Sequence, residues 1–203
     1  MPPEGVTALL FVVSGFLAVL LGQFWLGVTS VAYGLVDALL DDCAHGAATP
    51  ACAAGLLYDT GLLHFVDVYL QRLVALYSLT AFLFRHGFAR TLARALLTAV
   101  AFAVTSSHRI SWEEANLIYL GVYLGLLAVA KAACQEPTRR PEWVAASFAA
   151  YLFGFAAQQA ARATGGDAAR AAVCIAHVFF AADIVFVSLA LGGPSSQPLK
   201  ARS

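Results

Sequence analysis

The chain has 203 residues, 61% apolar and only 12% charged, against roughly 45–50% apolar and about 25% charged in soluble domains. Twelve basic and twelve acidic residues cancel to a formal charge of zero, so no basic field exists to gather nucleic acid, and a nucleic-acid partner is excluded. Four cysteines with no CxxC pair and no finger-like C…H spacing exclude a secreted disulfide scaffold and finger-type zinc.

At about 20 residues per transmembrane helix, a chain of this length and apolarity holds seven spans with room for loops. The start, MPPEG, lacks a basic region, so the first apolar segment is expected to be a retained span rather than a cleaved signal. Residues 6–40 form a 35-residue apolar stretch, which as one helix would be about 52 Å long and would overshoot a bilayer core of roughly 30 Å. It is expected to be two spans with a turn at Gly22-Gln23-Phe24-Trp25, where a glycine, an amide and an interfacial tryptophan coincide. Further spans are expected over 62–84, 92–105, 115–130, 143–161 and 171–191, the one over 92–105 being short enough to draw in flanking residues. No fixed-period repeat or internal linker occurs. The expected architecture is an all-α, polytopic seven-transmembrane-helix bundle: a single membrane domain over 1–192 with a disordered cytosolic tail over 193–203.

Seven spans also give a consistent charge bias. Alternate loops put eight Lys and Arg residues on one side (Arg85, Arg90, Arg94, Lys131, Arg139, Arg140, Lys200, Arg202) and three on the other (Arg109, Arg162, Arg170). The positive-inside rule then places the C-terminus in the cytosol and the N-terminus outside or in a lumen, in the plasma membrane or a secretory-pathway membrane. Cys43 and Cys52 fall together on the oxidising side and are a candidate disulfide, or else two free thiols. The arginine clusters suit anionic cytoplasmic lipid and need no dedicated ligand. Small residues such as Ala145-Ala146-Ser147 favour close helix packing.

Ionisable side chains inside a span cost on the order of 2.5–3.5 kcal/mol each on insertion scales, so each needs a partner or a purpose. The second span carries Asp37 and Asp41 one turn apart on one face, with Asp42 at its end. The third carries His64, Asp67 and Gln71 on a comparable face, followed by Arg72; the seventh carries His177 and, six residues on, Asp183. Because the second span ends outside where the third and seventh begin, Asp41, His64, Asp67 and His177 are expected at similar depth around one polar cavity in the outer half of the bundle. Such groups suit a metal such as zinc, whose bound water can attack an ester or amide. They equally suit a proton or lipid-headgroup site, or plain interhelical hydrogen bonding. No HExxH, GxSxG or SxxK motif breaks the tie.

Several short pieces resemble a known group. Asp41-Asp42-Cys43 followed by Cys52 matches the nine-residue cysteine step that follows a YHAC-like pattern at the end of the second span. Tyr58-Asp59-Thr60 matches the start of a YDT-containing stretch, His108-Arg109 with Trp112 resembles a DR…W piece, and His177 stands at the second histidine of an HxxxH segment. Together these resemble the myomaker and transmembrane-protein-8 group of the CREST superfamily, over roughly residues 33–191. That resemblance implies a seven-span fold and, as in the superfamily's hydrolases, zinc held by His177 with Asp41 as a further candidate, and the polar cavity adds His64 to the candidate metal ligands. Asp41, Asp59 or Asp67 would supply the acid–base or water-holding carboxylates. Two family imidazole positions are Asp41 and Val173 here, and one imidazole with carboxylates is a weak zinc set.

The resulting expectation is a divergent lipid-binding or lipid-hydrolase-like protein whose partners are membrane lipids, with homo-oligomer formation left open. Two alternatives stand beside it. One is a non-enzymatic membrane-remodelling or fusion-associated protein, as the resemblance implies; the other is a small proton-coupled transporter using Asp37, Asp67 and Asp183 as relays.

Overall fold

The computed structural model describes residues 3–44, 62–83, 88–106 and 140–192, and among them finds six α-helices and no strand. They are α1 (Pro3–Leu20), α2 (Phe24–Ala44), α3 (Leu62–Leu83), α4 (Phe88–Ser106), α5 (Pro141–Ala163) and α6 (Gly166–Leu191). The all-α expectation holds. The expected span over 115–130, the loop with Cys52 and Asp59, and the tail over 193–203 lie outside the described residues.

The long apolar stretch divides where the sequence suggested. Gly22 takes φ +84°, a left-handed conformation that glycine adopts without steric cost. The Gly22 N–H donates to the Val19 carbonyl at 3.0 Å and the Gln23 N–H to the Ala18 carbonyl at 2.8 Å. This crossed pair is a Schellman close, which satisfies two carbonyls that the end of α1 would otherwise leave unpaired. Phe24 then opens α2. The fourth expected helix does draw in flanking residues, starting at Phe88 rather than 92, and Pro141 sets the start of α5, where a missing N–H costs nothing.

Neighbours in sequence pair in space: α1 with α2, α2 with α3, α3 with α4, and α5 with α6. The chain closes on itself because α6 also packs on α1 and touches α3. Phe11 of α1, Leu26 and Tyr33 of α2, Val74 of α3, Val144 of α5 and Ile184 of α6 form the common core. Close approach of α1 and α2 rests on glycines. A Cβ at Gly27 would sit 2.5 Å from the Gly15 carbonyl oxygen, and one at Gly15 2.6 Å from the Gly27 carbonyl oxygen. Both obstacles are backbone and cannot rotate away. Gly27→Ala is therefore expected to push the two helices apart at a cost of about 1–3 kcal/mol, read as a lowered unfolding midpoint of the detergent-solubilised protein. An unchanged midpoint would mean that the helices do not approach this closely.

Polarity runs inside out. Along α1 the outward stripe is Val6, Leu10, Val13, Phe16 and Leu20, all exposed, while Glu4 and Ser14 are buried. Elsewhere Ser30, Ser78, Thr80, Ser147 and Ser188 are fully enclosed or nearly so, and Phe88, Leu92, Leu96 and Val100 of α4 face outward. Two helices, Pro3–Leu20 and Gly166–Leu191, are long and apolar enough to cross a bilayer.

Interhelical polar contacts bind the layers. Buried Arg72 of α3 donates from Nη1 to Thr105 Oγ1 of α4 at 2.5 Å, and the Tyr77 hydroxyl meets Thr98 Oγ1 at 3.0 Å. Arg94 donates from Nε to Thr80 Oγ1 at 3.2 Å, and its guanidinium lies 5.2 Å from the centre of the Tyr77 ring. In sequence Arg94 reads as part of a lipid-facing basic cluster. In the fold it turns inward onto α3, and its helical position makes that reach possible.

Candidate functional site

The N-terminal ends of α1 and α6 meet the C-terminal half of α2 at one end of the bundle, and His177 stands at their junction. Its ring is 7% exposed. On one side Nδ1 lies 3.0 Å from Thr7 Oγ1 of α1; on the other Nε2 lies 3.2 Å from Asp37 Oδ2 of α2. The ring of Phe11, one turn along α1 from Thr7, sets its edge against the imidazole at 5.8 Å between centroids, and Tyr33 in turn packs edge-on against Phe11 at 4.6 Å. One imidazole thus connects three helices, and aromatic packing fixes the plane of its ring.

A second charged pair lies one turn nearer the end of α1. Glu4 is 6% exposed and its Oε1 is 3.8 Å from Nε of Arg170 on α6. Its Oε2 is enclosed and has no hydrogen-bond partner among the described residues. Arg170, half-exposed, also donates to Asp167 one turn before it. The helix N-terminus favours a carboxylate at Glu4, but a buried oxygen without a donor is costly. The cluster Glu4, Thr7, Asp37, His177 and Arg170 is therefore a polar island at the bundle end.

Of the residues singled out in sequence, His177 is placed in this island and Asp37 beside it. Asp41 is one turn beyond Asp37 on α2, and His64 and Asp67 are in the first two turns of α3. The side chains of these three, and Asp59 altogether, lie outside the described residues. Cys174 is a free thiol on α6. Asp183 is not part of the island. Six residues from His177, it is rotated to another face of α6 and accepts a 2.5 Å hydrogen bond from Ser147 of α5.

Among the described residues no three His, Cys, Asp or Glu side chains gather closely enough to share a metal ion. Nδ1 of His177 meets the Thr7 hydroxyl, and Nε2 lies at ion-pair distance from the Asp37 carboxylate.

Glu4, Thr7 and Arg170 were missed in sequence. Thr7 is an ordinary residue in an apolar helix, and only the packing of α1 between α2 and α6 gives it a partner 170 positions away. A weak signal did exist: an acid in the first turn of one apolar helix and a base in the first two turns of another that starts on the same side. No protein-family model matches this chain, and neither a curated protein nor a solved structure does.

Proposed function

We propose that the chain is a multi-pass integral membrane protein of the seven-span kind, with its N-terminus outside or lumenal. On this reading its polar island, in the outer half of the bundle, handles a lipid, either as a divergent lipid-binding protein or as a lipid hydrolase similar to the CREST group. The observation that carries the reading is the buried chain Thr7–His177–Asp37 set inside helices whose outward faces are apolar. Water favours the reverse arrangement, whereas a bilayer accepts an apolar exterior and leaves polar groups to pair within. The apolar stripes of α1 and α4 support a lipid environment, and two bilayer-length helices fit it.

Hydrolysis is supported by chemistry rather than by likeness. A hydroxyl 3.0 Å from one imidazole nitrogen and a carboxylate 3.2 Å from the other are groups of the kinds that acyl transfer uses. The test is turnover of defined lipids by the full chain in vesicles, wild type against His177→Ala, with metal analysis of the same preparation. The reading expects lipid turnover or saturable lipid binding that His177→Ala abolishes. Recovery of the protein in the soluble fraction without detergent would overturn its membrane part; absence of lipid turnover and of saturable lipid binding would overturn its lipid part.

A further inference from the structure

We propose that Glu4, with Arg170 beside it, is a binding site for the headgroup of a primary-amine phospholipid, the ammonium meeting Glu4 and the phosphate meeting Arg170. The inference rests on the lipid-binding form of the reading above and names the class of lipid.

The starting observation is a buried carboxylate short of donors. Glu4 is 6% exposed, and its Oε2 is enclosed with no hydrogen-bond partner among the described residues. Its Oε1 comes within 3.8 Å of Arg170 Nε, an ion-pair contact longer than a hydrogen bond. The nearby Thr7 hydroxyl donates to the Glu4 backbone carbonyl at 2.8 Å, so its single hydrogen is not available to the carboxylate. A carboxylate removed from water without donors is costly. A ligand that brings N–H groups and a positive charge offsets that cost.

Arg170 completes the site from the outer side. Its side chain is 52% exposed and is tied to Asp167, one turn before it. A guanidinium has five N–H groups in a planar fork, so donors remain for an anion at the surface. The inward acid and the outward base thus match the two charges of phosphoethanolamine, in which two carbons join an ammonium to a phosphate. Position fits as well. Glu4 is in the first turn of Pro3–Leu20 and Arg170 in the second turn of Gly166–Leu191, the two helices long enough to cross a bilayer, and headgroups lie where such helices begin. Val6 and Leu10, exposed on α1 just beyond Glu4, offer apolar surface to the acyl chains.

A quaternary headgroup suits these groups less. Trimethylammonium has no N–H to give and is held by open aromatic faces. Phe11, the ring at this junction, is buried and packed against His177 and Tyr33.

The test is binding of defined lipids to the full chain in detergent and in nanodiscs, read by native mass spectrometry and by the unfolding midpoint. Phosphatidylethanolamine is expected to bind saturably and to raise the midpoint, with phosphatidylcholine of the same acyl chains weaker by roughly 10-fold or more. Glu4→Gln, which keeps the shape, should lose most of that preference, whereas Arg170→Gln should weaken both lipids and keep it, because both carry the phosphate. The wild-type comparison of the two lipids stands even where a variant folds poorly. Equal affinity of the two lipids for the wild type, or a preference undiminished in folded Glu4→Gln, overturns the proposal and leaves the lipid-binding reading in place. If neither lipid binds saturably, both fall. Free ethanolamine that competes as well as the phospholipid overturns the headgroup assignment in favour of a small soluble amine.

Discussion

Replacing His177 with leucine is expected to destabilise the protein by about 2–4 kcal/mol, measured by denaturant or thermal unfolding in detergent. The loss has three sources. Asp37, 17% exposed, loses the imidazole nitrogen that lies 3.2 Å from its Oδ2. Thr7 loses its cross-helix partner. The edge of Phe11 loses the ring it packs on. The first term decides the size, because a mostly buried carboxylate that loses a close electrostatic partner costs more than a hydroxyl that already donates to its own helix carbonyl. Asp37→Leu in the same molecule removes the buried carboxylate that His177 faced, so the double variant should be more stable than His177→Leu alone. A double-mutant cycle over the pair should give a coupling of about 1–3 kcal/mol, and a coupling near zero would mean that the contact joins the helices only on paper.

The second large effect concerns α5 and α6. Ser147→Ala should cost about 1–3 kcal/mol, because it leaves the Asp183 carboxyl enclosed without the donor that now sits 2.5 Å from Oδ1. Asp183 is 3% exposed and Ser147 0%, so water cannot take the place of the lost hydroxyl. Asp183→Asn, which keeps the shape and an oxygen that can accept from Ser147, should be milder than Ser147→Ala. Combining Ser147→Ala with Asp183→Leu should recover most of the stability, since two apolar groups in this interface leave nothing unpaired. Should Ser147→Ala unfold at the wild-type midpoint, Asp183 must find another donor, and the contact cannot be what holds the carboxyl.

These two sites divide the buried acids into different kinds. Asp183 has a neutral donor on the neighbouring helix and is enclosed by packed side chains, an arrangement suited to locking α5 on α6. Asp37 faces an imidazole whose other nitrogen meets a hydroxyl, an arrangement that can pass a proton. Both are carboxylates on apolar helices, and composition alone gives them the same standing.

Hydropathy is a property of the local chain, and helix positions were accordingly legible in it. The break at Gly22 was visible because a 35-residue apolar stretch cannot be one span, and because glycine at its middle permits the left-handed turn that closes α1. Starts and ends of α3, α5 and α6 fell within a few residues of expectation for the same reason. Helix rotation and choice of neighbour are not local properties, and they assigned every partner at the site. Sequence spacing paired Asp37 with Asp41 on one face, yet the partner of Asp37 comes from the last helix. Ser147 read as a small packing residue, yet it is the donor to Asp183. Thr7 and His177 are the first and last helices' contributions to one hydrogen bond, and only the closing of α6 onto α1 decides that they meet, because a contact across 170 residues depends on how helix faces pack and not on any spacing along the chain.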